Sequence, residues 1–252
     1  MSASAEAATY VFCVVQSGRP PSLRGVPGSI PGAGALRLIP IDRNLWAVVA
    51  DVPLEQFTSE RLQEEFQDVE AISRHALAHA AVVEFFFRRA TVVPLRLFTL
   101  FSADDKVQAH LRGRRTRLRK LFDELRGLEE WGVRVIAGAV EAKPARSPRS
   151  GRDYLVVKKR LNDRGAVPPR ATVKETTRAL RSLTRLASKV RKETFPPPGR
   201  DLPFMTGASM LVPTTRRSRW KKEVAKLGAA LAKRGHRLEV TGPWPPYHFV
   251  AR

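Results

Sequence analysis

Leu238-Glu-Val-Thr-Gly-Pro-Trp-Pro-Pro-Tyr-His-Phe-Val250 is the run on which the reading of this chain turns. A β-leaning segment meets Thr241-Gly242, and Pro243, Pro245 and Pro246 then stop it. Proline fixes φ and removes an amide donor, so such a run neither continues a ladder nor enters a helix. Trp244, Tyr247 and Phe249 present large apolar faces from a backbone that loses little entropy on ordering. The segment is built to dock, on its own domain or on a partner.

Upstream, His236 to Thr241 reads as a closing strand. Before it lies a helix with Trp220, Val224, Leu227 and Leu231 on one face and Gly235 as its stop, preceded by the short strand Ser209-Met-Leu-Val-Pro213. The Pro196-Pro197-Pro198-Gly199 break separates these from a helix expected over 171–192. There Val173, Thr176, Leu180, Leu183, Ala187 and Val190 recur at spacings of three and four, beside a basic stripe of Lys174, Arg178, Arg181, Arg185, Lys189 and Lys192. With Trp131-Gly-Val-Arg-Val-Ile136 as a strand, the order from Val133 suits an α+β sheet with both helices on one face.

Lys143-Pro-Ala-Arg-Ser-Pro-Arg-Ser-Gly-Arg152 is loop or linker in composition, so two domains are expected, 1–142 and 143–252; the strand from about 131 fits either. Charge divides at the same place. Residues 1–142 hold 18 Lys and Arg against 17 Asp and Glu, and residues 143–252 hold 27 against 7. Nearly all of the formal +21 therefore belongs to the second half, which points to a different surface and a different partner.

In the first half, Tyr10-Val-Phe-Cys-Val-Val15 reads as a strand apolar on both faces, followed by a turn-rich loop through Gly34. Leu36 to Pro40 and Leu45 to Ala50 are two more strands around an Asp42-Arg-Asn44 turn, giving a three-stranded antiparallel start. A short helix is expected from Thr58 or Ser59. A longer one, apolar nearly all round as a buried helix is, should run from about Val69 to Arg88. Thr91 to Phe101 reads as a strand in which Pro94 demands an edge, bulge or extended entry. A helix capped by Ser102 with Asp104 and Asp105 places Val107, Leu111, Leu118, Leu121, Phe122 and Leu125 on one face, interrupted by Arg114.

One cysteine, Cys13, excludes an internal disulfide and fits a reducing compartment. The first residues lack positive charge before an apolar core, unlike a secretory signal, and no apolar run approaches the roughly 20 residues that span a bilayer. A soluble cytoplasmic protein is expected.

Four segments together resemble the gas vesicle protein L/F family, nearly end to end: Tyr10 to Val15; Ala78-His-Ala-Ala-Val-Val-Glu84 leading into Thr91-Val-Val-Pro-Leu-Arg-Leu-Phe-Thr-Leu-Phe101; Glu130-Trp-Gly-Val-Arg-Val135; and Thr241-Gly-Pro-Trp-Pro-Pro-Tyr-His-Phe249. The last is the most specific. The chain departs from the family where a Phe-Gly pair is common and Leu97-Phe98 stands, and where a Ser is common and His248 stands. The resemblance implies an accessory or minor structural protein of gas vesicles, with an α+β N-terminal domain and a ferredoxin-like α+β C-terminal domain. It implies neither catalysis nor a cofactor. The implied partners are the small hydrophobic shell subunit and other gas vesicle accessory proteins.

The chemistry-bearing residues support no enzyme. His75 and His79 stand one helical turn apart, but a tetrahedral metal site needs further donors, so a locally hydrogen-bonded helix histidine is the plainer expectation. The glycines from Gly25 to Gly34 lack both the Gly-Lys-Ser/Thr ending of a P-loop and a dinucleotide-binding context. Arg178, Arg181 and Arg185 are either a solvated face or a surface for an acidic partner. Nucleic-acid binding through 174–192 and 216–226 is the alternative function, weakened by the lack of aromatics among those charges. Around Pro94 and Arg96, and along Trp244, Pro245, Pro246 and Tyr247, the structural expectation is a bulged strand and a closed edge of the second domain. The functional one is contact with the shell subunit.

Overall fold

Ala7–Gln16 (β1) is the strand on which the first sheet is assembled, because its β-branched and aromatic side chains are buried on both faces from Ala8 to Val15. The computed structural model describes residues 7–58, 68–136, 174, 177–193 and 205–250. Leu45–Pro53 (β3) pairs antiparallel with β1, with a register shift between Val11 and Cys13. Arg37–Asp42 (β2) closes the expected hairpin onto β3, and in its turn the Asp42 carboxylate accepts from the Arg43 amide at 2.8 Å. Thr91–Pro94 (β4) flanks β1 on the other side, giving the order β2-β3-β1-β4, with Leu100–Phe101 (β5) also on β1.

The strand expected over 91–101 is thus two pieces. β4 ends at Pro94, opposite Cys13. The Leu95 amide still donates to the Phe12 carbonyl at 2.9 Å, and a turn through Phe98 then leads into β5. Phe98 sits at φ 60, a left-handed conformation that disfavours a side chain. This is the position where the resembled family commonly has glycine.

Val69–Phe87 (α1) matches the helix expected from its spacing, and its first turn is capped by Asp68, which accepts from the amides of Glu70 and Ala71. It buries His75, His79, Val82, Val83, Phe85 and Phe86 in the core that holds Tyr10 and Phe12. The outer face departs from expectation, because Val69 and Leu77 are 76% and 71% exposed. Asp104–Gly113 (α2) and Arg115–Leu125 (α3) replace the single helix expected there, broken at Arg114. Ala103, not Ser102, stands at the cap of α2 and makes no side-chain cap bond. The short helix expected from 58 or 59 and the loop at 143–152 lie outside the described residues.

A second sheet has the order β7-β8-β6-β9, from Leu128–Ile136 (β6), Lys189–Lys192 (β7), Met205–Pro213 (β8) and Arg237–Trp244 (β9). One face sets Trp131, Val133 and Val135 of β6 beside Ala208, Met210 and Val212 of β8. Leu180, Leu183 and Leu186, around Arg181–Thr184 (α4), pack there with Trp220 and Leu231 of Arg217–Ala232 (α5). Both helices lie on one face, as the element order predicted.

The long helix expected over 171–192 is a correction. Its described part ends as the four-residue α4, and Lys189–Lys192 is a strand paired with β8. Leu180, Leu183 and Leu186 satisfy a helical spacing only as far as the turn before Ser188, whose amide already donates to the Leu211 carbonyl. Ladder pairing with β8 then overrides the helical pattern.

β9 also runs further than its prolines suggested, through Pro243 to Trp244, with a cis Gly242–Pro243 peptide. Among the described residues it is the edge of its sheet, where a missing amide donor leaves no ladder bond unmade. Gly242 has φ 122, and a Cβ there would stand 2.7 Å from the Glu130 carbonyl oxygen, so only glycine lets β9 lie this close to β6. By its internal contacts the chain divides into unit 1, Met1–Gly127 with Trp244–Arg252, and unit 2, Leu128–Pro243. The composition break at 142/143 therefore falls inside unit 2, because β6 belongs to the sheet formed after it.

Candidate partner-binding surfaces

Two of the candidate segments come together in unit 1. Pro94 ends β4 and is buried, while Arg96 is exposed and its carbonyl accepts from the Thr99 hydroxyl at 2.7 Å, closing the turn. After Trp244 the chain turns through Pro245 and Pro246 into Tyr247–Val250 (α6), which packs on β4. The Tyr247 amide donates to Pro245 at 2.7 Å and that of Phe249 to Pro246 at 3.1 Å. Pro245 and Pro246 are buried, and Tyr247 packs against the core of Tyr10, Phe12 and Val92. Trp244 is left 41% exposed. Of the segment expected to close the second domain, Trp244 ends β9 of the second sheet, whereas Pro245, Pro246 and Tyr247 fall in unit 1.

Arg178, Arg181 and Arg185 are all exposed, in unit 2. The adjoining Lys189 and Lys192 are on β7, so the continuous basic helical stripe does not form.

Buried polar groups organise both units. In unit 1 the Phe98 amide donates to the Tyr10 hydroxyl at 3.3 Å, and that hydroxyl is hydrogen-bonded with His79 Nδ1 at 2.8 Å. Burial pushes the Tyr10 hydroxyl up and pushes His79 down to about 4, so both are neutral near pH 7. His75 Nδ1 lies 3.1 Å from the Ala71 carbonyl. Each histidine of the i, i+4 pair is therefore held by a separate hydrogen bond, and among the described residues no group of three or more metal-type side chains converges. Arg37 forks between Asp51 and Asp104, and Asp104 also accepts from Thr9 at 2.9 Å. The Arg37 guanidinium holds the Asp104 carboxyl below the usual carboxylate range.

In unit 2, Glu129 is 1% exposed in the core face of β6. It accepts from Trp131 Nε1 at 3.0 Å and from Arg217 Nε at 3.0 Å, with Arg217 Nη2 completing a bidentate pair. The hydrogen bond to Glu129 raises Arg217 above its ordinary value. Paired carboxylate and guanidinium at a separation of 88 residues left no local sequence signal.

These two antiparallel sheets with helices define a mixed α+β protein, and two crystal structures share the fold. GvpF from Anabaena sp. PCC7120 matches with a TM-score of 0.69 at 15% identity, over 98% of this chain and 97% of that one. GvpF from Microcystis aeruginosa matches with a TM-score of 0.67 at 16% identity, over 97% and 99%. In sequence, gas vesicle protein L of Streptomyces sp. (strain CB03234) is 30% identical over 220 residues, 82% of this chain and 80% of the relative. Gas vesicle protein F of Haloferax mediterranei is 26% identical over 221 residues, 86% and 84%. Residues 8–251 match the family described as gas vesicle synthesis protein GvpL/GvpF, and the chain belongs to that family. A role in gas vesicle formation follows from that membership.

Proposed function

We propose that this protein binds the small hydrophobic shell subunit during gas vesicle assembly, masking apolar surface before polymerisation or helping nucleate the shell, without catalysis. The observation that carries this is Trp244. Its neighbours Pro245, Pro246 and Tyr247 are anchored, while its indole stays 41% exposed on a backbone stiffened by prolines. A rigid aromatic of this kind loses little entropy on docking, and large anchored aromatics dominate protein interfaces. β4, which ends at Pro94, packs against the tail, with Arg96 exposed shortly after it. Apolar subunits with open strand edges aggregate unless covered, which gives a dedicated binding protein its rationale.

The place of action on this reading is the gas vesicle and the cytoplasm around it, with other accessory proteins as further partners. Unit 2 is read as ferredoxin-like, supported by its element order and by the sheet order β7-β8-β6-β9. No observation favours the nucleic-acid alternative.

Co-expression with the shell subunit tests the proposal. A complex should co-purify and should weaken on Trp244→Ala. Absence of a complex at both low and high salt would remove the function, whereas undiminished binding by the variant would remove only this surface.

A further inference from the structure

Unit 2 spans residues 128–243, which hold 27 Lys and Arg against 10 Asp and Glu, so it lacks the carboxylates to neutralise its own surface however its chain is arranged. Three of those acids are already taken, Glu129 by Arg217, Glu193 by Arg134 and Glu239 by Arg237. The surplus comes to the surface on α5. Trp220, Val224, Leu227 and Leu231 pack α5 onto the sheet, which turns Arg219, Lys221, Lys222, Lys226 and Lys233 to the outside, all five exposed. None of the five joins an ion pair or a side-chain hydrogen bond among the described residues. Arg219, Lys222, Lys226 and Lys233 follow steps of three, four and seven, which sets them in one row about 21 Å long at the helical rise of 1.5 Å per residue. Ala225 and Ala229, exposed beside that row, have side chains short enough for a second helix to lie along it.

We propose that this face of α5 docks an acidic helix of a partner protein, whose carboxylates repeat at the same steps of three, four and seven. Charge sets the sign of the occupant, and the straight row sets its form. A nucleic acid would meet the same cations, but Trp220, the aromatic residue of α5, is 0% exposed, so the face offers no ring for base stacking. A lipid surface is held by apolar side chains inserted beside the lysines, and the large apolar side chains of α5 are turned to the sheet. A second copy of the same face carries the same charge and is repelled. This docking goes beyond the binding of the shell subunit: its occupant is recognised by charge rather than by apolar surface, and its test involves neither that subunit nor Trp244.

The test uses the full chain and a labelled helix-forming peptide with glutamates at those steps, followed by fluorescence anisotropy. An isomer of the same composition with its glutamates scattered round the helix, a duplex oligonucleotide and vesicles containing phosphatidylserine stand as the alternatives. The matched peptide should bind more tightly than its isomer, and its affinity should fall as salt is raised. Acylation of Lys222, Lys226 and Lys233, read by mass spectrometry, should drop in the complex while that of Lys120 on α3 does not. Lys222→Glu with Lys226→Glu should weaken binding about tenfold or more, whereas Lys106→Glu with Lys120→Glu, the same change of net charge in unit 1, should leave it within about twofold. No binding, equal binding of the isomer, tighter binding of the duplex or the vesicles, binding without protection of the three lysines, or equal loss in the two double variants would each overturn the proposal. Protection is read on the unaltered protein, so it decides the matter even if a charge-reversed variant fails to fold.

Discussion

Trp220 and Trp244 offer the same chemical deletion in two environments. Trp220 is 0% exposed, against Trp131 with ring centroids 6.1 Å apart, and its Nε1 is buried without a partner among the described residues. Truncating a buried tryptophan costs about 3–5 kcal/mol. Removing an unsatisfied donor returns part of that, so Trp220→Ala should cost about 3 kcal/mol. Trp244, 41% exposed, has roughly three fifths of its surface covered and leaves no closed cavity when truncated; about 1 kcal/mol is expected. The difference of about 2 kcal/mol corresponds to roughly 4–8 °C in melting temperature for a chain of this size. Thermal unfolding followed by far-UV circular dichroism reads it, with Trp220→Ala acting on unit 2 and Trp244→Ala on unit 1. Equal costs, or a larger cost for Trp244→Ala, would refute the burial argument and with it the case that the Trp244 indole is held ready for a partner.

Further outcomes follow from the buried polar groups. Glu129→Ala should destabilise by about 2–3 kcal/mol, less than a fully buried pair because the Arg217 side chain is 48% exposed, and Glu129→Gln by less, since an acceptor for Trp131 Nε1 remains; urea denaturation distinguishes them. His79 is held near 4 in the folded protein against 6.5 unfolded, so the unfolded chain binds the extra proton first: its contribution is present above pH 6.5 and is lost as pH falls towards 4. That amounts to about 3 kcal/mol, and His79→Gln should flatten the dependence of melting temperature on pH in that window. Phe98→Gly should be about 1 kcal/mol more stable than Phe98→Ala, because both lose the ring contacts with Phe57 and His75 but only glycine relaxes at φ 60; a stability ranking by melting temperature checks it.

Much of unit 1 was legible because its signals are local. The hairpin of β2 and β3 follows from alternation around Asp42-Arg-Asn44, α1 from its 3.6-residue period, and the break at β4 from Pro94. The segment after Leu180 misled because Leu180 and Leu183 do sit in a helical turn, and a strand as short as β7 carries too few residues to show its own period. What placed Lys189 to Lys192 was pairing with β8, a partner whose register no local pattern announces. The candidate site was legible by composition but not by burial. Pro245 and Pro246 are covered while Trp244 is open, and proline content alone does not say which way a rigid segment faces. Glu129 and Arg217 left no trace in either half, being adjacent only after β6 and α5 are packed.

Unit 1 is discontinuous in the chain, its last piece following all of unit 2. During synthesis the sheet around β1 therefore waits for α6 until the ribosome has delivered unit 2 in full. The helix that covers β4 in the first sheet is thus supplied only after every strand of the second has been made.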